Sequence, residues 1–312
     1  MAQVQALEAA GHRVCPSAAT VAVAQDKARQ RALFAGLGLP VPAWTPVQDA
    51  AQIAVFAATH GWPVVVKACR GGYDGRGVWL AADATEAAAI VATATAAALE
   101  LLVEAWVPIE RELAVLVARR PGGAAVTYPV VESVQIAGIC HEILAPARLD
   151  TALTAEALRI AAAVAAAVKV TGILAVELFV VNDRLLINEI ACRPHNSGHC
   201  TIEACVTSQF ENHLRAVLDW PLGATGMVAP AAAMVNVIGG PHTPADLTLN
   251  LPAALAVEGV RVHLYGKAAR PGRKLGHVTA LGAEIGVARA RAVRAAALLR
   301  DGAAGATEEA GT

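Results

Sequence analysis

The segment from Asn188 to Ile202 concentrates groups that can do chemistry. It holds a carboxylate (Glu189), a guanidinium (Arg193), two imidazoles (His195, His199) and two small hydrogen-bonding side chains (Asn196, Ser197), with Gly198 able to turn sharply among them. It follows directly on the apolar run Leu185-Leu186-Ile187. Charge buried without partners is costly, so a segment this polar is not core filler. It reads as a site.

A second acid lies just upstream. Glu177 interrupts the apolar run from Ile173 to Val181, where a carboxylate must be paired or metal-bound. Asn182-Asp183 signals a hairpin between that run and Arg184–Ile190. Side chains alternate faces along a strand, so the loop decides whether the two acids meet. A two-residue turn at Asn182-Asp183 sets Glu177 opposite Asn188 and sends Glu189 to the other face. A three-residue loop over 181–183 pairs Glu177 with Ile187 and puts Glu189 diagonally on the same face. The odd-length loop is the expectation. With it Glu177, Glu189 and Asn188 make a hard-oxygen site for Mg²⁺ bridging phosphates. The plainer alternative is a buried Glu177 paired with an Arg or Lys.

Other segments could serve a nucleotide. Gly71-Gly72-Tyr73-Asp74-Gly75-Arg76-Gly77 follows a strand ending in Lys67. Its glycines let backbone N–H groups approach an anion, and Lys67, Arg70 and Arg76 add positive charge. The Gly-Lys-Ser/Thr ending of a Walker A loop is missing, and an ordinary hairpin turn is the competing reading. Glu104 and Glu112 bracket Ala105-Trp106-Val107-Pro108, where strand backbone could read an adenine edge and a carboxylate a ribose; solvated surface is the alternative. Lys267, Arg270, Arg273 and Lys274 cluster around Pro271-Gly272 and suit either a solvated face or a phosphate-bearing substrate. His12, His60, His141 and His242 read as structural, and Cys192, Cys200 and Cys205 as packing.

Composition bounds the elements that position these groups. The 312 residues suffice for two or three packed units, and 56% apolar with 16% charged residues suits a well-buried enzyme. A net charge of −1 gives no electrostatic case for nucleic acid or a membrane surface. Six cysteines without a Cys-x-x-Cys pair argue against structural zinc and a disulfide scaffold, and fit a reducing compartment. The Ala-rich stretch 155–168 is short of the ~20 apolar residues a membrane span needs and reads as a buried helix. The N-terminus lacks the order of a signal peptide.

Along the chain, residues 1–24 read as a brief helix and a short strand over 11–16. Helical spacing covers Gln25–Leu37, with strands at Gly61–Lys67 and Val78–Ala81 and a helix over 84–98. Leu101–Val107, Glu112–Arg119 and Ala125–Val134 read as strands, and a single helix as Thr201–Leu218. Beyond Pro230 the pattern gives short strands, including Val235–Ile238 and Val260–Tyr265, then a frayed tail over 301–312. The order predicts an α+β fold with mostly antiparallel sheets.

Gln25-Asp26-Lys27, Gly71–Gly77, Arg111-Glu112-Leu113, Glu177, Asn188-Glu189, Arg193 with His195–His199, Thr201–Cys205 leading to Ser208–Glu211, and Arg270–His277 run in order through the chain. Together they resemble the N5-carboxyaminoimidazole ribonucleotide synthetases, ATP-grasp enzymes of purine biosynthesis. The resemblance implies a remnant of an N-terminal βαβ domain (1–24), an ATP-grasp core in two parts (25–105 with the glycine loop, 106–228 with the metal and bicarbonate site), a C-terminal β-rich domain (229–300) and a disordered tail (301–312). It implies carboxylation of the exocyclic amine of 5-aminoimidazole ribonucleotide by ATP and bicarbonate through carboxyphosphate, in a cytoplasmic homodimer that takes no nucleic acid and no membrane. By the same resemblance Lys27 and Lys67 touch ATP phosphates and Gly71, Gly72, Tyr73, Asp74, Gly75, Arg76 and Gly77 cover them. Glu104 with Ala105, Trp106 and Val107 holds adenine, and Glu112 the ribose. Glu177 and Glu189 ligate Mg²⁺ beside Asn188. Arg193, His195, Asn196 and Ser197, with Tyr73 and Asp74, act on bicarbonate, and Lys267, Arg273 and Lys274 hold the ribonucleotide phosphate. Cys192, Pro194, Cys200 and Leu264 depart from the family pattern, and most of the N-terminal domain is lacking. Two other readings are a truncated chain that binds Mg-ATP without turnover, and another ATP-grasp carboxylase or ligase.

Overall fold

The computed structural model describes residues 2–72, 75–241 and 243–305. Tyr73, Asp74 and His242 lie outside the described residues, as do 306–312. Helices α1 (Ala2–Ala9), α2 (Ala18–Ala24) and α3 (Lys27–Gly36) open the chain. Residues 11–16 link α1 to α2 as turn and coil, not as the expected strand, since the stretch has no sheet beside it to pair with. Asp26 caps α3, its carboxylate accepting from the Arg29 N–H, which fixes Lys27 as the first helical residue.

A small sheet follows, built from β1 (Trp44–Val47), β2 (Val64–Ala68), β3 (Val78–Ala81) and β4 (Leu101–Ala105) in the order β1-β4-β2-β3. Helices α4 (Ala50–His60) and α5 (Ala84–Ala96) pack on it through Ile53, Phe56, Ala87 and Ala94, burying Val64, Val66 and Val103. The glycine loop joins β2 to β3.

The large sheet comprises β5 (Arg111–Arg119), β6 (Ala125–Thr127), β7 (Val131–Ile136), β8 (Ile139–Ala145), β9 (Gly172–Val181), β10 (Arg184–Ala191), β11 (Ala231–Ile238), β12 (Val260–Leu264) and β13 (Lys274–Gly282). Its order is β10-β9-β5-β7-β8-β11-β13-β12, with β6 beside β5, and every pairing among the described residues is antiparallel. Helix α6 (Thr151–Ala167) buries Ala157, Ile160, Ala161 and Val164, an i, i+3, i+4, i+7 stripe, against Val115, Leu174, Val176, Leu178 and Ile187. Helix α10 (Ile285–Gly305) covers Val235, Val237, Val278 and Ala280 with Ala288, Ala292, Ala295 and Leu299. Strand parity puts α6 and α10 on one face. The other face is left for Glu112, Glu177, Glu189, Asn236, His263 and His277.

Several expectations are corrected. Pro129, which cannot donate to a ladder, breaks the strand expected over 125–134 into β6 and β7. The helix expected over 201–218 is α7 (Thr201–Ala204) and α8 (Gln209–Val217), separated at Cys205, which bridges to Met227, and restarted by the Ser208 cap. Beyond residue 229 the strands continue the large sheet through β11 and β8, α9 (Leu251–Leu255) follows, and the 21-residue α10 makes this part as helical as stranded. Helix α10 is interrupted at Gly302, whose φ of 72° and ψ of −173° are not helical, so the regular helix stops where the expected tail begins; residues 306–312 of that tail lie outside the described residues.

The β9–β10 hairpin departs from the expected loop in an instructive way. Val181 pairs with Arg184, so the turn is the two-residue Asn182-Asp183, both at positive φ (48° and 55°), and not a three-residue loop. Pairing proceeds to Leu178 with Ile187, then shifts by one residue, and Glu177 pairs with Glu189. The extra residue, Asn188, forms a β-bulge. It brings both acids to one face by a route the loop-length argument does not contain. Among the described residues no helix is long and apolar enough to cross a membrane. Ile160→Ala, at a fully buried contact of α6, is expected to cost about 2–5 kcal/mol in urea unfolding.

Candidate active site

Strand β10 lies at the edge of the large sheet, and its outward N–H groups are taken up by the chain around α3. Ile187 N–H donates to the Pro40 carbonyl at 2.8 Å and Ile190 N–H to Gln30 Oε1 at 3.1 Å. These bonds seat α3 against β10 and bring Lys27 into an ion pair with Glu189. Asn188, on the bulge, donates from Nδ2 to Glu177 Oε2 at 3.3 Å and accepts from Lys67 Nζ at 3.4 Å. The bulge therefore joins both acids to both lysines.

Three carboxylates crowd this corner. Burial, then the Glu189 and Glu112 charges, push the Glu177 carboxyl up from its ordinary range. Glu112 is raised too, by burial and by Glu189, against the pull of Lys67. For Glu189, burial acts upward but Lys27 outweighs it and holds the group ionised. Such an acid-rich corner, with oxygen ligands from facing strands, suits a hard divalent cation.

Glu104 differs from its expected adenine or ribose contact. It is 2% exposed, and its two oxygens are engaged by Arg31 Nε at 2.6 Å and Lys67 Nζ at 2.7 Å. Burial drives the Lys67 ammonium down, while Lys67 and Arg31 outweigh the burial of Glu104 and hold its carboxyl low. Glu104 thus fixes Lys67 from behind. Trp106 is exposed at the end of β4, Ala105 and Val107 are half-buried, and Ala105 N–H donates to the Ala43 carbonyl.

The described part of the glycine loop lies beside Lys27. A Cβ on Gly72 would stand 2.7 Å from the Arg76 carbonyl and 3.8 Å from Lys27 Cε, so the loop folds tightly beside that side chain. Gly75 at φ +76° and Gly138 at φ +76°, in the β7–β8 turn, meet backbone to backbone; a Cβ on Gly138 would lie 3.0 Å from Gly75 Cα. The loop spans from the small sheet to the large one. Arg70, expected to add charge for phosphate, is bound to Asp26 at 2.9 and 3.0 Å.

Arg193 to His199 crosses the same face. His195 Nε2 lies 3.3 Å from Glu177 Oε1, and its Nδ1 accepts from the Ser197 N–H at 3.3 Å with Ser197 Oγ 2.8 Å away. Ser197 is buried, so its hydroxyl orients His195 rather than facing the cleft. Burial, then Arg193, push the His195 imidazole down to about 4 and keep it neutral. Asn196 and Asn236 exchange amide hydrogen bonds of 2.8 Å in both directions. Arg193 is exposed and donates to the Pro194 carbonyl.

Of the basic cluster, Lys274 at the start of β13 and Lys267 both act electrostatically on His199, and Lys274 also on His195. Lys267 sits over the Tyr265 ring at 5.1 Å, whereas Arg273 donates to the Ala268 carbonyl and remains in its own loop. Sequence reasoning passes over Asn236, His263 and Tyr265, and gives no role to Gln209 and His277, which lie only within matched stretches. His263 and His277 stack at 4.5 Å between ring centroids, His277 and His199 at 5.1 Å, and Tyr265 Oη meets His277 Nδ1 at 2.8 Å. The signal that marks Glu177, a polar residue inside an apolar strand, marks Asn236 equally well.

The ATP-grasp domain model matches residues 32–210, and the phosphoribosylaminoimidazole carboxylase C-terminal domain model matches 232–291. The N5-carboxyaminoimidazole ribonucleotide synthase of Mycobacterium tuberculosis is 45% identical over 309 residues, covering 96% of this chain and 71% of the relative. The chain belongs to the N5-carboxyaminoimidazole ribonucleotide synthase family. The phosphoribosylaminoimidazole carboxylase of Saccharomyces cerevisiae is 36% identical over 283 residues, covering 88% of this chain and 49% of that protein. An Aspergillus clavatus N5-carboxyaminoimidazole synthase structure, in complex with ADP and 5-aminoimidazole ribonucleotide, superimposes with a TM-score of 0.86 at 30% identity, over 95% of this chain and 79% of that one. The Thermotoga maritima N5-carboxyaminoimidazole ribonucleotide synthetase gives 0.79 at 37% identity, over 94% and 76%. This synthase-family chain therefore carries the mixed ATP-grasp fold of its solved relatives. For Glu104→Gln, which leaves Arg31 and Lys67 charged and buried, the expected loss is about 3–5 kcal/mol of unfolding free energy by urea titration.

Proposed function

We propose that this chain uses ATP and bicarbonate to carboxylate the exocyclic amine of 5-aminoimidazole ribonucleotide, giving the N5-carboxyamino product through carboxyphosphate. The carrying observation is the convergence of Glu177 and Glu189, paired across the Asn188 bulge, beside Lys27, Lys67 and the glycine loop. Family membership supplies the substrate class; the geometry supports how the residues would serve it.

Glu177 and Glu189, with Asn188 between them, fit a magnesium ion by donor chemistry, since crowded carboxylates on one sheet face are relieved by a hard cation. When bound with ATP, such an ion neutralises charge on the transferring phosphoryl group. Lys27 and Lys67 would hold phosphate oxygens, and Glu104 keeps Lys67 in place. Bicarbonate is a weak nucleophile, so its attack depends on alignment and charge neutralisation more than on a covalent helper. Arg193 is exposed, His195 is held neutral with Nε2 towards Glu177, and Asn196 is fixed by its Asn236 partner. These groups would seat bicarbonate and then carboxyphosphate. Lys267 and Lys274 would draw the ribonucleotide's phosphate to the His199 side; Arg273 would join them only by leaving the Ala268 carbonyl. The glycine loop would exclude water while carboxyphosphate decomposes beside the amine. The reading includes a cytoplasmic homodimer.

The wild-type chain is expected to release ADP only when bicarbonate and 5-aminoimidazole ribonucleotide are both present. Glu189→Ala and Arg193→Ala should each lower kcat about 10²-fold or more. ATP binding without ADP release would instead favour a non-turning-over nucleotide binder. A pH dependence follows from Glu177. Its folded-state carboxyl lies above the ordinary value, so the metal-free protein gains stability at low pH and loses it as pH rises through that raised value. Magnesium competes with that proton. Calorimetry in buffers of different ionisation enthalpy should find proton release on Mg-nucleotide binding near neutrality, and Glu177→Gln should abolish it.

A further inference from the structure

Gln209, the first residue of α8, is fully buried behind the Arg193–His199 segment. Its Oε1 accepts from the His195 N–H at 2.8 Å, and its Nε2 donates to the His195 carbonyl at 2.8 Å. Those two bonds fix which end of the amide is oxygen. Nε2 carries only hydrogens, so its second contact, 3.0 Å to His199 Nδ1, requires a lone pair on that ring nitrogen. The proton of the neutral ring then lies on Nε2. Burial, then His263, push His199 down to about 4, in keeping with a neutral ring.

The amide is itself held from two sides. Gln209 N–H donates to Thr201 Oγ1 at 2.9 Å, and Thr201 Oγ1 donates to the Gly198 carbonyl at 2.6 Å. Gly198 closes over it with no space to spare: a Cβ there would stand 2.6 Å from Gln209 Oε1 and 2.3 Å from Leu116 Cδ2. One side chain thus meets the peptide of one site histidine and the ring of the other.

We propose that Gln209 is a positioning residue for carboxylation, its single amide setting both the His195 peptide and the tautomer of His199. Its effect on turnover rests on the carboxylation reading; the tautomer assignment does not. Gln209→Glu keeps the shape but, measured at a pH where the carboxylate is ionised, replaces the Nε2 donor by an acceptor, which takes the donor from the His195 carbonyl and obliges His199 to present Nδ1–H. The test is imidazole ¹⁵N NMR of the full chain, with the His199 signal assigned from His199→Asn, alongside steady-state kinetics.

The wild type should show His199 as Nε2–H and Gln209→Glu as Nδ1–H. In the variant, kcat should fall about 10²-fold while KM for ATP moves less than about threefold, as expected when alignment and not nucleotide binding is lost. An Nδ1–H signal in the wild type overturns the proposal without any variant. A swapped tautomer with wild-type kcat also overturns it. Parallel loss of kcat and ATP affinity would mean general disruption of the fold, and counts against it too. A wild type with the Nε2–H signal but no bicarbonate-dependent ADP release supports the clamp and overturns the carboxylation reading instead.

Discussion

One irregularity in one edge strand governs the candidate site. Without the bulge at Asn188, the two-residue turn at Asn182-Asp183 would leave Asn188 alone opposite Glu177 and turn Glu189 into the apolar layer under α6. With it, Leu185, Ile187 and Ile190 keep their places in that layer while Glu189 reaches the polar face. A buried, unpaired carboxylate against α6 would cost several kcal/mol, so the apolar pattern and the acid pattern together select the bulge. The same edge accepts α3 through Pro40 and Gln30, and so the strand that places the acids also places Lys27.

Charge is layered outward from this point. Arg31, Glu104 and Lys67 form an inner buried group, and Arg31 Nη1 and Nη2 have no hydrogen-bond partner there. A group of this kind is weak evidence for stability but strong evidence for a fixed Lys67, since losing any member strands the others. The next layer, Lys27, Asn188, Glu177 and Glu189, is partly open and balanced by lysines on one side and His195 on the other. Neutral imidazoles make up the third, where burial suppresses charge on His195, His199 and His277. Cations, anions and neutral donors thus reach the cleft from different elements.

Much of this was legible in residue order. Glu177 inside an apolar strand, the hairpin at Asn182-Asp183 and the strands flanking the glycine run each carry a local physical signature and lie where expected, although the hairpin turn is two residues and not the expected three. The bulge was not legible, because register depends on packing two faces at once and no local residue announces it. The buried pairing of Glu104 was not legible for the converse reason: its partners Arg31 and Lys67 are distant in sequence, and nothing local marks the acid as their counter-charge and not as a nucleotide contact. The break between α7 and α8 could have been read from Ser208 followed by Glu211, a helix-start signal inside the predicted helix. Helix α10 escaped because its alanine-rich face gives little apolar contrast, although Ala288, Ala292 and Ala295 pack closely on the sheet.

The central claim is that Glu177 and Glu189 share one cation. Anomalous diffraction from crystals grown with Mn²⁺ and ADP tests it most directly. A single peak with an oxygen of each carboxylate at about 2 Å is the predicted result. A peak bound by neither acid, or Glu189 still paired with Lys27 beside an ordered Mn-nucleotide elsewhere in the cleft, would contradict it.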